Sequence, residues 1–311
     1  MSAGGGATAI VAALLANAGI AVAKFIGFLI TGSSSLLAEA VHSVADTANQ
    51  GLLLLGRHSA RREATQQHPF GYGRDRYFYS FVVALLLFSL GSVFALYEGA
   101  HKIYSHDPIS SPLVAIGILV VAIVLESLSF RTAIRESRPA KREGSWWQFI
   151  KESKSPELPV VLLEDAGALT GLLLAFAGVG LSVLTGDPLW DGLGTLGIGV
   201  LLGAIAIILI VETKSLLIGE GSDTEELNRI RAALVGRGVD RVIHLRTQYL
   251  GPDELLVGAK IAVPATLPSV EVARIIDEAE TRVRDAVPAA RIIYLEPDLD
   301  RTPAGTNWPT S

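Results

Sequence analysis

The stretch LLAEAVHSVADTANQGLLLL, residues 36–55, is long enough to cross a bilayer, yet it carries Glu39, His42 and Asp46. His42 and Asp46 are four residues apart, about one helical turn, so an imidazole and a carboxylate project from one helix face. Ionisable groups in hydrocarbon cost ~2.5–3.5 kcal/mol each on insertion scales, and they are rare there unless they face a partner, a water-filled path or an ion. Working outward, a second apolar stretch, LLEDAGALTG, carries Glu164 and Asp165. Imidazole with carboxylates is a ligand set for a divalent transition metal. The pattern predicts membrane passage of such a metal.

Composition agrees with a membrane protein. Of 311 residues, 50% are hydrophobic, and the mean hydropathy is +0.44. A net charge of −5 implies no nucleic-acid partner. The chain has no cysteine, which excludes disulfides, thiolate zinc sites and a cysteine nucleophile. Its one methionine is Met1, so thioether copper(I) binding is excluded too. The N-terminus lacks a basic segment and runs directly into a span-length apolar stretch, which predicts a first membrane helix rather than a cleaved signal peptide.

Six stretches reach span length: 7–31, 36–55, 77–104, 112–134, 158–184 and 189–216. They are separated by the turn signals TGSSS, HPFGYG, DPISSP and TGDP. Basic residues alternate from connection to connection. The second holds Arg57, Arg61, Arg62, Arg74 and Arg76, and the fourth holds Arg135, Arg138, Lys141, Arg142, Lys151 and Lys154. The first and fifth hold none, and the third has only Lys102 near two histidines. Positive charge marks the cytoplasmic side, which predicts a multi-pass protein of a bacterial-type inner (plasma) membrane with both termini cytoplasmic.

After Lys214 the composition becomes that of a soluble domain. Residues 224–237 read as a charged amphipathic helix capped by Thr224 or Asp223. Residues 241–250 and 255–263 alternate as strands around Gly251-Pro252-Asp253; a helix over 269–287 and a strand over 291–295 follow. The order αββαβ predicts two helices on one face of a small sheet. The predicted organisation is a six-helix transmembrane bundle over 1–217, a cytoplasmic ferredoxin-like αββαβ domain over 218–300 and a disordered tail over 301–311.

The order of spans, the His42-x-x-x-Asp46 pair, the loop HPFGYGR from His68 to Arg74 followed by Asp75, and the αββαβ tail resemble the cation diffusion facilitator transporters. The stretches LLEDAGALTG and YLGPDELLVGAKI, with the long basic fourth connection, look most like the zinc transporter 9-like branch. The resemblance implies a proton-coupled exporter of zinc or a related divalent metal, a homodimer, and no enzymatic activity. It also implies a transport site formed by two residues of the second span facing two of the fifth. His42 and Asp46 match the second-span pair, and Asp165 matches one fifth-span position.

The other fifth-span position falls on Val161, which cannot bind metal. Glu164 is the candidate replacement, as a ligand, as an acceptor that orients His42, or as a proton carrier; a water is the other way to complete the shell. Glu164 and Asp165 are adjacent, so they point ~100° apart on a regular helix. The expected metal residues are therefore His42, Asp46, Asp165 and Glu164. That donor set suits zinc, with manganese, iron(II) and cobalt as competitors and no prosthetic group. Gln66 and Gln67 precede His68, so the loop metal site of some relatives is expected to be absent. In the tail only His244 matches the family's histidines, while Lys260, Tyr294 and Glu296 occupy other positions of the cytoplasmic site.

Several residues carry blander expectations. Glu39 is expected to support the site rather than ligate. Lys24 is expected to pair with Glu126 or to snorkel, leaving Glu126 a candidate for the proton path. Asp191 is expected to cap the helix it starts. His101 and His106 are expected in solvent, and Trp146 and Trp147 on an interfacial amphipathic segment.

Overall fold

The computed structural model describes residues 18–141 and 144–299. The start of the first predicted span and the predicted tail lie outside the described residues. The chain divides into two units, Met1–Glu63 with Asp75–Leu217 and Ala64–Arg74 with Ile218–Ser311.

The first unit is helical. Its elements are α1 (Ala18–Thr31), α2 (Ser34–Ser59), α3 (Asp75–Val82), a π-helical turn Val83–Phe88, α4 (Ser89–Ser105), α5 (Pro112–Lys141), α6 (Trp146–Glu152), α7 (Glu157–Thr185) and α8 (Leu189–Ile218). Among the described residues four helices are long and apolar enough to cross a membrane: Asp75–Ser105, Pro112–Lys141, Glu157–Thr185 and Leu189–Ile218. α2 spans 26 residues, but its polar side chains lower its hydropathy below theirs. The span predicted over 77–104 contains the π turn, which neither glycine nor proline in VALLLF signals. Gly178 lets α7 meet α8 closely, because a Cβ there would lie 2.8 Å from the Trp190 carbonyl oxygen. The apolar core of the unit is built from Leu36, Leu53, Leu119, Leu172, Ile198 and Leu202 with their neighbours.

Two buried polar contacts fix the helix ends near the TGSSS turn. Lys102, predicted as a connection residue, is buried and donates from Nζ to the Gly32 carbonyl at 2.8 Å, satisfying the C-terminus of α1. Asp191 does not cap its own helix. It lies in the first turn of α8, and its carboxylate accepts from Ser33 Oγ at 3.0 Å and from the Ser34 backbone N–H at 3.1 Å. It therefore caps α2, where the exposed N–H groups and the helix dipole both favour a negative charge. The predicted interfacial segment is α6, which buries Phe149 and Ile150 and leaves Trp147 exposed beneath the Lys151 ammonium.

The second unit holds α9 (Thr224–Leu234), β1 (Arg241–Gly251), β2 (Glu254–Ala262), α10 (Ser269–Ala286) and β3 (Ala290–Asp298). The sheet order is β1-β2-β3; β1 and β2 pair antiparallel, and β2 and β3 parallel. Alternate residues of β2, Leu255, Val257, Ala259 and Ile261, form a core with Ile230 and Leu234 of α9 and Ile275 and Val283 of α10. Asp223 caps α9, accepting from the Glu226 N–H at 2.7 Å. The HPFGYGR loop belongs to this unit. Gly71 turns the chain at φ +74°, and a Cβ at Gly73 would lie 2.7 Å from the Leu250 carbonyl oxygen. The ring of His68 in this loop lies 4.6 Å from that of Tyr72.

Candidate metal site

α2 presents a polar seam to the interior of its unit. Glu39, His42, Asp46 and Asn49 recur at three- and four-residue intervals and are all buried, which is the spacing of one helical face. His42 Nδ1 lies 3.6 Å from Asp46 Oδ1. That separation is too long for a hydrogen bond, and Asp46 Oδ1 is buried with no hydrogen-bond donor among the described residues.

α7 brings its two carboxylates to different neighbours. Glu164 is 2% exposed and faces Asn49 across the α2–α7 contact. Asp165 Oδ2 accepts from Ser129 Oγ of α5 at 3.0 Å. The ~100° between adjacent helical residues thus points one carboxylate at α2 and the other at α5, with no break in α7. Val161, one turn before Asp165, packs among apolar side chains of both neighbouring clusters.

Lys24 is 1% exposed and donates to Glu39 Oε2 at 2.9 Å and to Ser43 Oγ at 2.8 Å. This corrects the expected pairing with Glu126, and it also rules out snorkelling. Glu39 sits on the seam facing α1, nearer in the packing than Glu126 on α5. Half-buried Glu126 is left within electrostatic reach of Asp46, Glu164 and Asp165. Asp46 also feels Lys24, Glu39 and Asp165. The result is an acidic interior cluster in which carboxylates outnumber the single ammonium. Such a cluster attracts a cation.

Of the four predicted ligands, the structure places His42 and Asp46 together, Glu164 against α2 and Asp165 against α5. Among the described residues no three His, Asp or Glu side chains converge as a ready-made metal cage. The sequence reading missed Asn49 and Ser129. Asn49 was legible as the next residue of the Glu39–His42–Asp46 stripe. Ser129, a turn after Glu126, carried no comparable signal.

The remaining histidines lie apart from this cluster. His101 stacks on Tyr97, and His106 is exposed with φ 56°. In the second unit His244 faces Lys260 across β1 and β2. Lys260 Nζ lies 3.0 Å from Glu296 and 3.2 Å from Asp298. Hydrogen bonds donated by Lys260 to Glu296 and then to Asp298 hold its pKa above its ordinary value. The carboxylates at that sheet edge are therefore already matched by an ammonium.

The sequence matches the description of a cation efflux transmembrane domain over residues 10–218 and of a cation efflux cytoplasmic domain over residues 222–298. It is 38% identical over 223 residues to the proton-coupled zinc antiporter SLC30A9, mitochondrial, of Xenopus laevis, covering 71% of this chain and 40% of that protein. The chain therefore spans well under half the length of that relative. It is 31% identical over 256 residues to metal tolerance protein C4 of Arabidopsis thaliana, covering 81% of this chain and 56% of that one. Identity to magnetosome protein MamB of Paramagnetospirillum magneticum is 26% over 273 residues, covering 86% of this chain and 85% of the relative. Both domain descriptions fall in order on the helical unit and the sheet unit. The chain is an integral, multi-pass membrane protein and belongs to the cation diffusion facilitator family, whose members are transporters and not enzymes.

Proposed function

We propose that this chain is a proton-coupled antiporter that exports a divalent metal, zinc first and manganese, iron(II) or cobalt as competitors. The observation that carries this reading is the buried acidic cluster around His42 and Asp46, placed between helices apolar enough to cross a membrane. In this reading the metal is held by His42 and Asp46 of α2 with Asp165 and Glu164 of α7. Metal binding requires a neutral imidazole and ionised carboxylates, so protons compete for the same groups. Metal loads where protons are scarce, and protons displace it on the opposite side. Alternating access moves the site between the two faces.

The same proposal takes six spans over 1–217, with α1 and α2 completing the four apolar helices. It places the 218–300 domain and both termini on the cytoplasmic side of a bacterial-type plasma membrane, in line with the alternation of basic connections. It also takes the protein to be a homodimer, as the match to a cytoplasmic domain of the dimerising type suggests.

A second reading, a metal-binding membrane protein that does not transport, is favoured by one observation: three donors do not converge among the described residues. Purified protein in sealed liposomes separates the two. The antiporter reading expects zinc addition to release protons in the opposite direction, and a non-transporting protein gives no zinc-dependent proton flux.

A further inference from the structure

The structure draws attention to a residue outside the expected ligand set. Asn49 lies three residues beyond Asp46 on the buried seam of α2 and is 1% exposed. Its side chain lies against Glu164 of α7. An ionised carboxylate only accepts, so the amide nitrogen of Asn49 is the atom suited to Glu164. The amide oxygen then points elsewhere, and Asn49 Oδ1 is buried with no hydrogen-bond partner among the described residues.

Oxygens of α2 and α7 that share that condition include Glu164 Oε2 and Asp46 Oδ1. With both carboxylates ionised all three are acceptors, so in that state none can satisfy another. Buried acceptors without donors bear the whole cost of lost hydration, and in hydrocarbon no solvent relieves it. A helix-packing role explains only the nitrogen of Asn49. A cation between α2 and α7 would be the partner such oxygens lack.

We propose that Asn49 is both a ligand and a positioning residue of the transport site. Its amide nitrogen holds Glu164 toward α2, and its amide oxygen binds the cation beside Asp46. Asn49 thereby supplies, from the second span, the donor lost at Val161 in the fifth. This inference rests on the antiporter reading. It adds a chemical consequence: an amide oxygen is a hard, neutral donor, and carbonyl and carboxylate oxygens suit manganese better than imidazole-rich sets do. Asn49 therefore broadens the site from zinc toward manganese.

The test uses the full chain in proteoliposomes, with zinc and manganese uptake measured separately for wild type, Asn49→Leu, Asn49→Asp and Asp46→Ala. Asn49→Leu keeps the branched side-chain shape, at a larger volume, and removes both polar atoms. It is expected to raise KM by about tenfold or more, the usual loss when a group supporting a metal site is removed, with the larger loss for manganese. Asn49→Asp retains the oxygen and exchanges the donor for an acceptor; it is expected to keep transporting with an altered zinc-to-manganese ratio.

If Asn49→Leu leaves KM and the ratio at wild-type values, or lowers uptake of both metals equally through turnover alone, the inference is overturned. Should Asn49→Leu fail to fold, Asn49→Asp decides by the ratio, and an unchanged ratio overturns the inference. Asp46→Ala keeps the two readings apart. Loss of transport there with a wild-type-like Asn49→Leu removes only the role of Asn49, whereas wild-type transport by Asp46→Ala removes the antiporter reading itself.

Discussion

At the scale of single residues, the energetics turn on buried charge. Lys24 and Glu39 are both almost fully buried and face each other at 2.9 Å. Removing one partner of such a pair strands the other, at a cost of about 3–5 kcal/mol, whereas replacing both with apolar groups is commonly neutral. Lys24→Met is therefore expected to lower unfolding stability in detergent by that amount, and Lys24→Met with Glu39→Leu to recover most of it. A single variant as stable as wild type would contradict the pairing. His42 and Asp46 were legible in sequence because a four-residue interval is itself a geometric statement. The partner of Lys24 was not, because it depends on which helices are neighbours. The divergence of Glu164 and Asp165 followed from helical pitch, but their partners Asn49 and Ser129 emerged only from packing.

At the scale of elements, glycine decides how closely the helices approach. Gly178 and Gly180 lie on the same helix, yet a Cβ at Gly178 would lie 2.8 Å from the Trp190 carbonyl oxygen, while nothing lies within 4 Å of one at Gly180. Gly178→Ala must push α7 from α8 and is expected to cost about 1–3 kcal/mol. Gly180→Ala meets open space and is expected to gain about 0.5–1 kcal/mol from improved helix propensity. Thermal unfolding of the two variants side by side checks this, and equal shifts would contradict the packing. Hydrophobic periodicity placed the elements of the sheet unit to within a few residues, because its strands alternate and its helices are amphipathic. It did not reveal the π turn at Val83–Phe88, a property of one backbone ladder that leaves the apolar pattern intact. Nor did it reveal that Asp191 caps α2, since a capping residue supplied by another helix leaves no local signature.

At the scale of the whole molecule, domain order was plain in the composition: an apolar part followed by a charged one. The placement of residues 64–74 with the sheet unit was not, because a connection between two helices gives no sign of what it packs on. The homodimer proposal predicts a protein mass in detergent of twice 32.9 kDa by light scattering; a single-chain mass at every concentration would contradict it. The central claim is that the His42–Asp46 cluster carries metal against protons. Zinc uptake and proton flux, recorded together in sealed proteoliposomes for wild type and Asp46→Ala, test it most directly. The account predicts zinc uptake with opposing proton movement for wild type, and both at the level of empty liposomes for Asp46→Ala. Zinc uptake by Asp46→Ala at the wild-type rate would contradict it.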